Sequence, residues 1–83
     1  MNQALVGLLA IYGRVGVSDI KPDTTLASLG LKPGAGDLSE LLIKELLSDI
    51  EIFGNVKIEL SAYLSFDTVA DLNAHYEKLL STP

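Results

Sequence analysis

An all-α fold is what this sequence predicts. Apolar side chains recur at helical spacing in three segments, and capping residues open two of them. Only Val56–Leu60 alternates like a strand, and no other stretch of the chain offers it a partner. From Asn2 to about Val15, Leu5, Leu8, Leu9 and Tyr12 fall on one helical stripe, which Val6, Ala10 and Ile11 widen. Gly13 and Gly16 weaken the end of that helix. A long connection follows, carrying the turn signature Lys21-Pro22-Asp23-Thr24. Leu26, Leu29 and Leu31 punctuate it at a spacing that suits a loop pinned to a core, since an unanchored loop of this length is uncommon in a small domain.

The second helix is expected to begin at Asp37, with Asp37 as N-cap and Glu40 closing a capping box, which places Ser39 in the first turn. Leu38, Leu41, Leu42, Ile50 and Phe53 are expected to face the core. Ile43, Leu46 and Leu47 extend the apolar surface around the helix, and Glu40, Glu45, Asp49 and Glu51 outnumber its single base, Lys44. Gly54-Asn55 breaks it. Val56–Leu60 then reads as an extended segment leading into a short helical turn near Leu60–Leu64. In the last helix Thr68 and Asp71 form the capping pair, Val69, Leu72, Tyr76, Leu79 and Leu80 mark the buried face, and Phe66 staples the start. Ser81-Thr82-Pro83 reads as a frayed tail.

The chain of 83 residues makes one domain, 1–83, and a domain of this size buries only about 60% of the surface its unfolded chain exposes. With 48% hydrophobic residues and no cysteine, packing alone must hold it, and a reducing, cytoplasmic setting is expected. The apolar run Ala4–Gly13 falls short of the roughly 20 residues that span a bilayer, and the N-terminus lacks the positive region of a signal peptide. Neither export nor membrane insertion is expected. Eleven acidic against six basic residues give a net charge of −5, which repels nucleic acid and anionic lipid and attracts proteins with basic docking patches.

Chemistry is sparse. The one histidine, His75, lies inside the last helix, so a hydrolase built from Ser39 and His75 is the weakest of the available readings. One histidine, no cysteine and scattered carboxylates supply no metal-ligand spacing. Gly30, Gly34 and Gly36 bracket a loop with no preceding strand, a pattern of flexible connection rather than nucleotide binding. Ser39 stands out by position. A phosphate ester in the first turn of a helix meets unpaired N–H groups and the positive end of the helix dipole, although a first-turn serine can equally serve as a cap or face water.

Three segments give that serine a context. Ile20-Lys21-Pro22-Asp23-Thr24-Thr25-Leu26-Ala27-Ser28-Leu29-Gly30, Ile50-Glu51-Ile52-Phe53-Gly54-Asn55-Val56-Lys57-Ile58 and Leu64-Ser65-Phe66-Asp67-Thr68-Val69-Ala70-Asp71-Leu72 occur in this order in an acidic chain. Together they resemble the acyl carrier proteins of fatty acid, polyketide and related pathways: the loop after the first helix, the close of the second helix and the approach to the last. The resemblance implies a four-helix fold with a long first loop and a short third helix. It also implies a serine at the start of the second helix that carries 4′-phosphopantetheine, whose thiol holds an acyl group as a thioester. Counting back from Phe53-Gly54 places that serine at Ser39, behind an insertion, Lys32-Pro33-Gly34-Ala35-Gly36, where the family usually shows Asp-Ser-Leu directly after Leu-Gly. If Asp37 stands at the family's serine position instead, modification at the usual place is ruled out.

The expected function is that of a discrete, monomeric, non-enzymatic shuttle. Its partners would be a phosphopantetheinyl transferase and acyl-loading, acyl-transfer or synthase enzymes. Glu40, Glu45, Asp49 and Glu51 would meet their basic patches, with Ile43 and Leu47 lining an acyl cleft or a partner interface, or else simply buried in the core. The alternative is a carrier-like helical interaction module with no prosthetic group.

Overall fold

Asn2 opens the first helix, its side-chain oxygen accepting from Leu5 N–H at 3.0 Å and so pairing one of the donors that a helix start leaves free. In the computed structural model, which describes residues 1–81, α1 runs Gln3–Gly13 and ends at Arg14 in the left-handed conformation, φ 56°. Leu5, Val6, Leu9 and Ala10 are buried, and Leu8 and Tyr12 pack against them. The stripe is the one expected from the sequence except at Ile11, which is exposed. Gly13 is its last residue, and Gly16 lies just beyond the Arg14 cap.

The long connection contains two 3-10 turns, Val17–Asp19 and Ala27–Leu29, and is pinned as expected, with Leu26, Leu29 and Leu31 buried and Ile20 beside them. The turn at residues 21–24 closes through Thr24 N–H donating to Lys21 O at 3.1 Å. Beyond it the chain lies along the start of the last helix. Leu26 N–H donates to Asp67 O at 2.9 Å, Val69 N–H to Thr24 O at 2.8 Å and Ala70 N–H to Pro22 O at 3.0 Å, around an isolated antiparallel bridge between Thr25 and Thr68.

α2 spans Ser39–Gly54 and turns a different face inward from the expected one. Its buried residues are Ser39, Ile43, Leu46 and Ile50, spaced as one stripe of a helix. Leu38, Leu41 and Phe53, expected in the core, are exposed, and Leu42 is half-buried. The helix carries apolar residues on nearly every side, so its inward face is chosen by what the neighbouring helices cover, and a serine heads that face. Asn55, φ 54°, ends α2 as the expected breaker. Gly54 is required by close approach: a β-carbon there would lie 3.0 Å from Cε1 and 3.1 Å from Cζ of Tyr76.

Residues 56–58 take no regular structure and Glu59 is extended, no strand occurs among the described residues, and α3 is the short helix Leu60–Tyr63. Ile58 is buried as that segment crosses the core. Tyr63 is fully buried and its hydroxyl donates to Leu31 O at 2.6 Å, while Lys32 Nζ donates to Leu64 O at 2.8 Å. Both bonds tie α3 to the end of the long loop. Burial pushes the Tyr63 phenol well above its ordinary pKa.

α4, Val69–Leu80, has the capping box read from the sequence: Thr68 Oγ1 accepts from Asp71 N–H and Asp71 Oδ2 from Thr68 N–H. Backbone donors at Thr68 and Asp67 hold the Asp71 carboxyl below its ordinary pKa. Val69, Leu72 and Tyr76 are buried and Leu79 packs against them, whereas Leu80, expected on the same face, is exposed. Phe66 lies against Tyr63 edge-on, and 5.2 Å from the His75 ring. Ser81 closes α4 through its N–H to Glu77 O at 3.1 Å; Thr82 and Pro83, the rest of the expected tail, lie outside the described residues. Among the described residues no helix is long and apolar enough to cross a membrane.

Candidate functional site at the start of the second helix

The two long helices α2 and α4 begin in opposite ways. In α4 the donors of the first turn all find acceptors: Val69 and Ala70 in the loop, Asp71 in the Thr68 side chain. In α2 they do not. Ser39 N–H reaches Gly36 O at 3.3 Å, but Glu40 and Leu41 N–H have no partner among the described residues, and Leu38, the N-cap, supplies no side-chain bond. The expected capping box of Asp37 and Glu40 is therefore absent. Its physical reason is the turn from Gly36 to Ser39, which runs straight into the helix. Leu38 sits at φ −110°, ψ 15° rather than in the extended conformation a capping residue needs, and Asp37 falls outside the cap position.

Ser39 is 2% exposed, and its Oγ has no hydrogen-bond partner among the described residues. Apart from the phenols Tyr63 and Tyr76, it is the one polar side chain among the buried residues described. The backbone at Gly36 passes over it, so that a β-carbon on Gly36 would sit 3.4 Å from Oγ. Leaving a buried hydroxyl unpaired costs about 1–3 kcal/mol. Alanine would leave only a small void and remove that cost, and Ser39 therefore stands where packing does not ask for an oxygen.

Two grooves flank this position. One, of about 320 Å³, lies between the end of α1 and the start of α2, and its lining includes Tyr12, Arg14, Leu29, Asp37, Ser39 and Leu42. The other, of about 330 Å³, lies between α2 and α3 and is lined by Pro33, Glu40, Ile43, Lys44, Leu60 and Leu64. Ser39 lines the first groove alone. Arg14, which the sequence reading passed over, makes no ion pair or side-chain hydrogen bond with any described residue. Its signal was available in composition, as the only arginine in an acidic chain.

The other residues singled out from the sequence separate. Glu40 is exposed beside the α3 groove, and Ile43, 2% exposed, belongs to the core and forms part of that groove's floor. Glu45 is exposed, and Leu47 is half-buried against the core. Asp49 is half-buried and accepts a hydrogen bond from the Tyr12 hydroxyl, which ties α2 to α1. That bond, with burial and the Asp49 charge behind it, raises the Tyr12 pKa to about 12. His75 packs against Phe66 and lines neither groove, so the structure does not bring it to Ser39.

Comparison with protein-family models, with curated proteins and with solved structures yields no match. The site stands on its own geometry: a hydroxyl that packing leaves unused, two free N–H groups at the positive end of a helix, and one arginine beside them. Such a site suits an anionic group.

Proposed function

We propose that this protein is an acyl carrier whose Ser39 receives 4′-phosphopantetheine. The observation that carries the reading is the Ser39 hydroxyl itself, placed in the first turn of α2 beside free N–H groups and unused by the fold. The three carrier-like segments of the sequence support it. The arm, once joined, supplies a thiol that holds acyl groups as thioesters for fatty acid, polyketide or related specialised biosynthesis.

The chain's own part is to present the hydroxyl, hold the phosphodiester and offer a docking surface. Loading joins Ser39 Oγ to the pantetheine-bearing phosphorus of coenzyme A and breaks the diphosphate bond. Adenosine 3′,5′-bisphosphate leaves, and the hydroxyl proton passes to a base of the phosphopantetheinyl transferase. With Oγ buried, this requires residues 33–38 to lift from it. That segment is held by three backbone bonds, Ala35 N–H to Lys32 O, Ser39 N–H to Gly36 O and Leu42 N–H to Leu38 O, and Gly34 holds φ 83°. Glu45 and Glu40 remain available for the basic patches of transferase, loading and synthase enzymes.

The test is intact mass after incubation with a broad-specificity transferase and coenzyme A. A gain of one arm in the wild type and none in Ser39→Ala is expected; a gain that survives Ser39→Ala moves the site elsewhere.

The burial of Ser39 favours a second reading, a carrier-like interaction module that is never modified. Its surface would be the outer side of α2, where Leu41 and Ile52 are exposed near Glu45. No mass gain with several transferases, together with loss of partner binding on Glu45→Lys, would select it. Asp49 is a poor site for that reversal, since lysine there would also break the bond from Tyr12.

A further inference from the structure

We infer that the phosphodiester of the arm is held on the α1 side of α2, with Arg14 as its counter-ion. The stem then sets out along the groove lined by Leu29 and Leu42 rather than the groove of similar size lined by Leu60 and Leu64. The inference rests on the carrier reading and adds to it a direction and a positioning residue.

Three observations carry it. Ser39 lines the α1 groove and not the α3 groove, so the residue that bears the phosphorus lies on the α1 side. Arg14 lines that same groove with its guanidinium unpaired among the described residues. The α3 groove has Lys44 and Glu40 in its lining as the α1 groove has Arg14 and Asp37, but the unused hydroxyl lines only the α1 groove.

Charge decides what kind of anion the α1 groove takes. Arg14 supplies one positive charge and Asp37, which also lines the groove, one negative charge. The start of α2 adds about half a positive charge. The balance is slightly positive, which accepts a phosphodiester with one negative charge and disfavours a monoester with nearly two. The apolar neighbours Leu29 and Leu42 suit the uncharged stem that follows.

Arg14 is also well placed for a clean experiment. It holds φ 56°, where glycine is at ease, so Arg14→Gly removes the charge without adding backbone strain, and Arg14→Lys keeps the charge. Amide spectra of 15N-labelled protein would be recorded before and after loading with the unacylated arm, with mass confirming complete loading. Outside the segment next to Ser39, the largest shifts are expected at Gly13, Arg14, Leu29 and Gly30. They should fall, by up to about threefold as one partly exposed charge pair allows, in Arg14→Gly and persist in Arg14→Lys. Complete loading with the shifts at Leu60 and Leu64 instead, or shifts unchanged in Arg14→Gly, overturns this inference and leaves the carrier reading standing. Failure of the wild type to gain mass overturns both.

Discussion

Replacing Ser39 with alanine removes one oxygen atom from the inner face of α2 and nothing else. Throughout the described part of the fold that oxygen has no partner, and the residue is 2% exposed, so its water shell is lost on folding without return. The unpaired group costs about 1–3 kcal/mol. Against this stands the small void left where the oxygen was, beside Gly36. The net expectation is stabilisation by about 1 kcal/mol, which for a domain of this size is a rise of roughly 4–8 °C in melting temperature. Urea unfolding followed by circular dichroism gives the comparison, read as a higher midpoint at unchanged slope. A lower midpoint would refute the reasoning, because it would mean that the hydroxyl is paired in solution and that Ser39 has a structural duty. The same variant is the loading control, so one protein tests whether the serine is kept for stability or for chemistry.

Tyr63→Phe should cost about 1–2 kcal/mol in the same assay, because it leaves the buried Leu31 carbonyl without its donor. Gly54→Ala drives a methyl against the Tyr76 ring and should cost about 1–3 kcal/mol; Tyr76→Leu in the same chain should restore part of the loss, and a neutral single variant would contradict the close approach. Tyr12 binds its proton more tightly folded than unfolded, so its contribution is complete below the ordinary value of 10.0 and is lost as pH rises through about 12. Ultraviolet titration should show that late phenolate, and Asp49→Asn should bring it earlier by removing the charged acceptor. An unchanged titration in Asp49→Asn would exclude the bond as its cause.

Local signals survived the passage from sequence to structure where the physics was local. The Thr68 and Asp71 cap, the break at Gly54-Asn55, the leucines pinning the long loop and the short helix after Val56 were all legible, since each depends on a few neighbouring residues. The facing of α2 was not. Its leucines and isoleucines surround the helix, and the true inner stripe runs Ser39, Ile43, Leu46, Ile50. A polar residue at its head is what hydrophobicity discounts, and by hydrophobicity Leu38 and Leu41 belong in the core instead. The cap at Asp37 failed for a related reason: residue type fits a capping box, but the turn from Gly36 to Ser39 decides the backbone angles there. Arg14 was silent because its significance is a matter of what lies across the groove.

The bonds from Val69 and Ala70 to Thr24 and Pro22 bear on how the chain folds. A helical domain of this size usually folds fast because its contacts are close in sequence. Here the last helix obtains its opening acceptors from a segment on the far side of α2 and α3 in the chain, so it cannot be finished before that long closure is made. Hydrogen exchange at the Val69 and Ala70 amides should accordingly report global opening rather than end-fraying. A carrier that must loosen the loop over its serine would thus keep the other end of the same connection locked, confining the movement to residues 33–38.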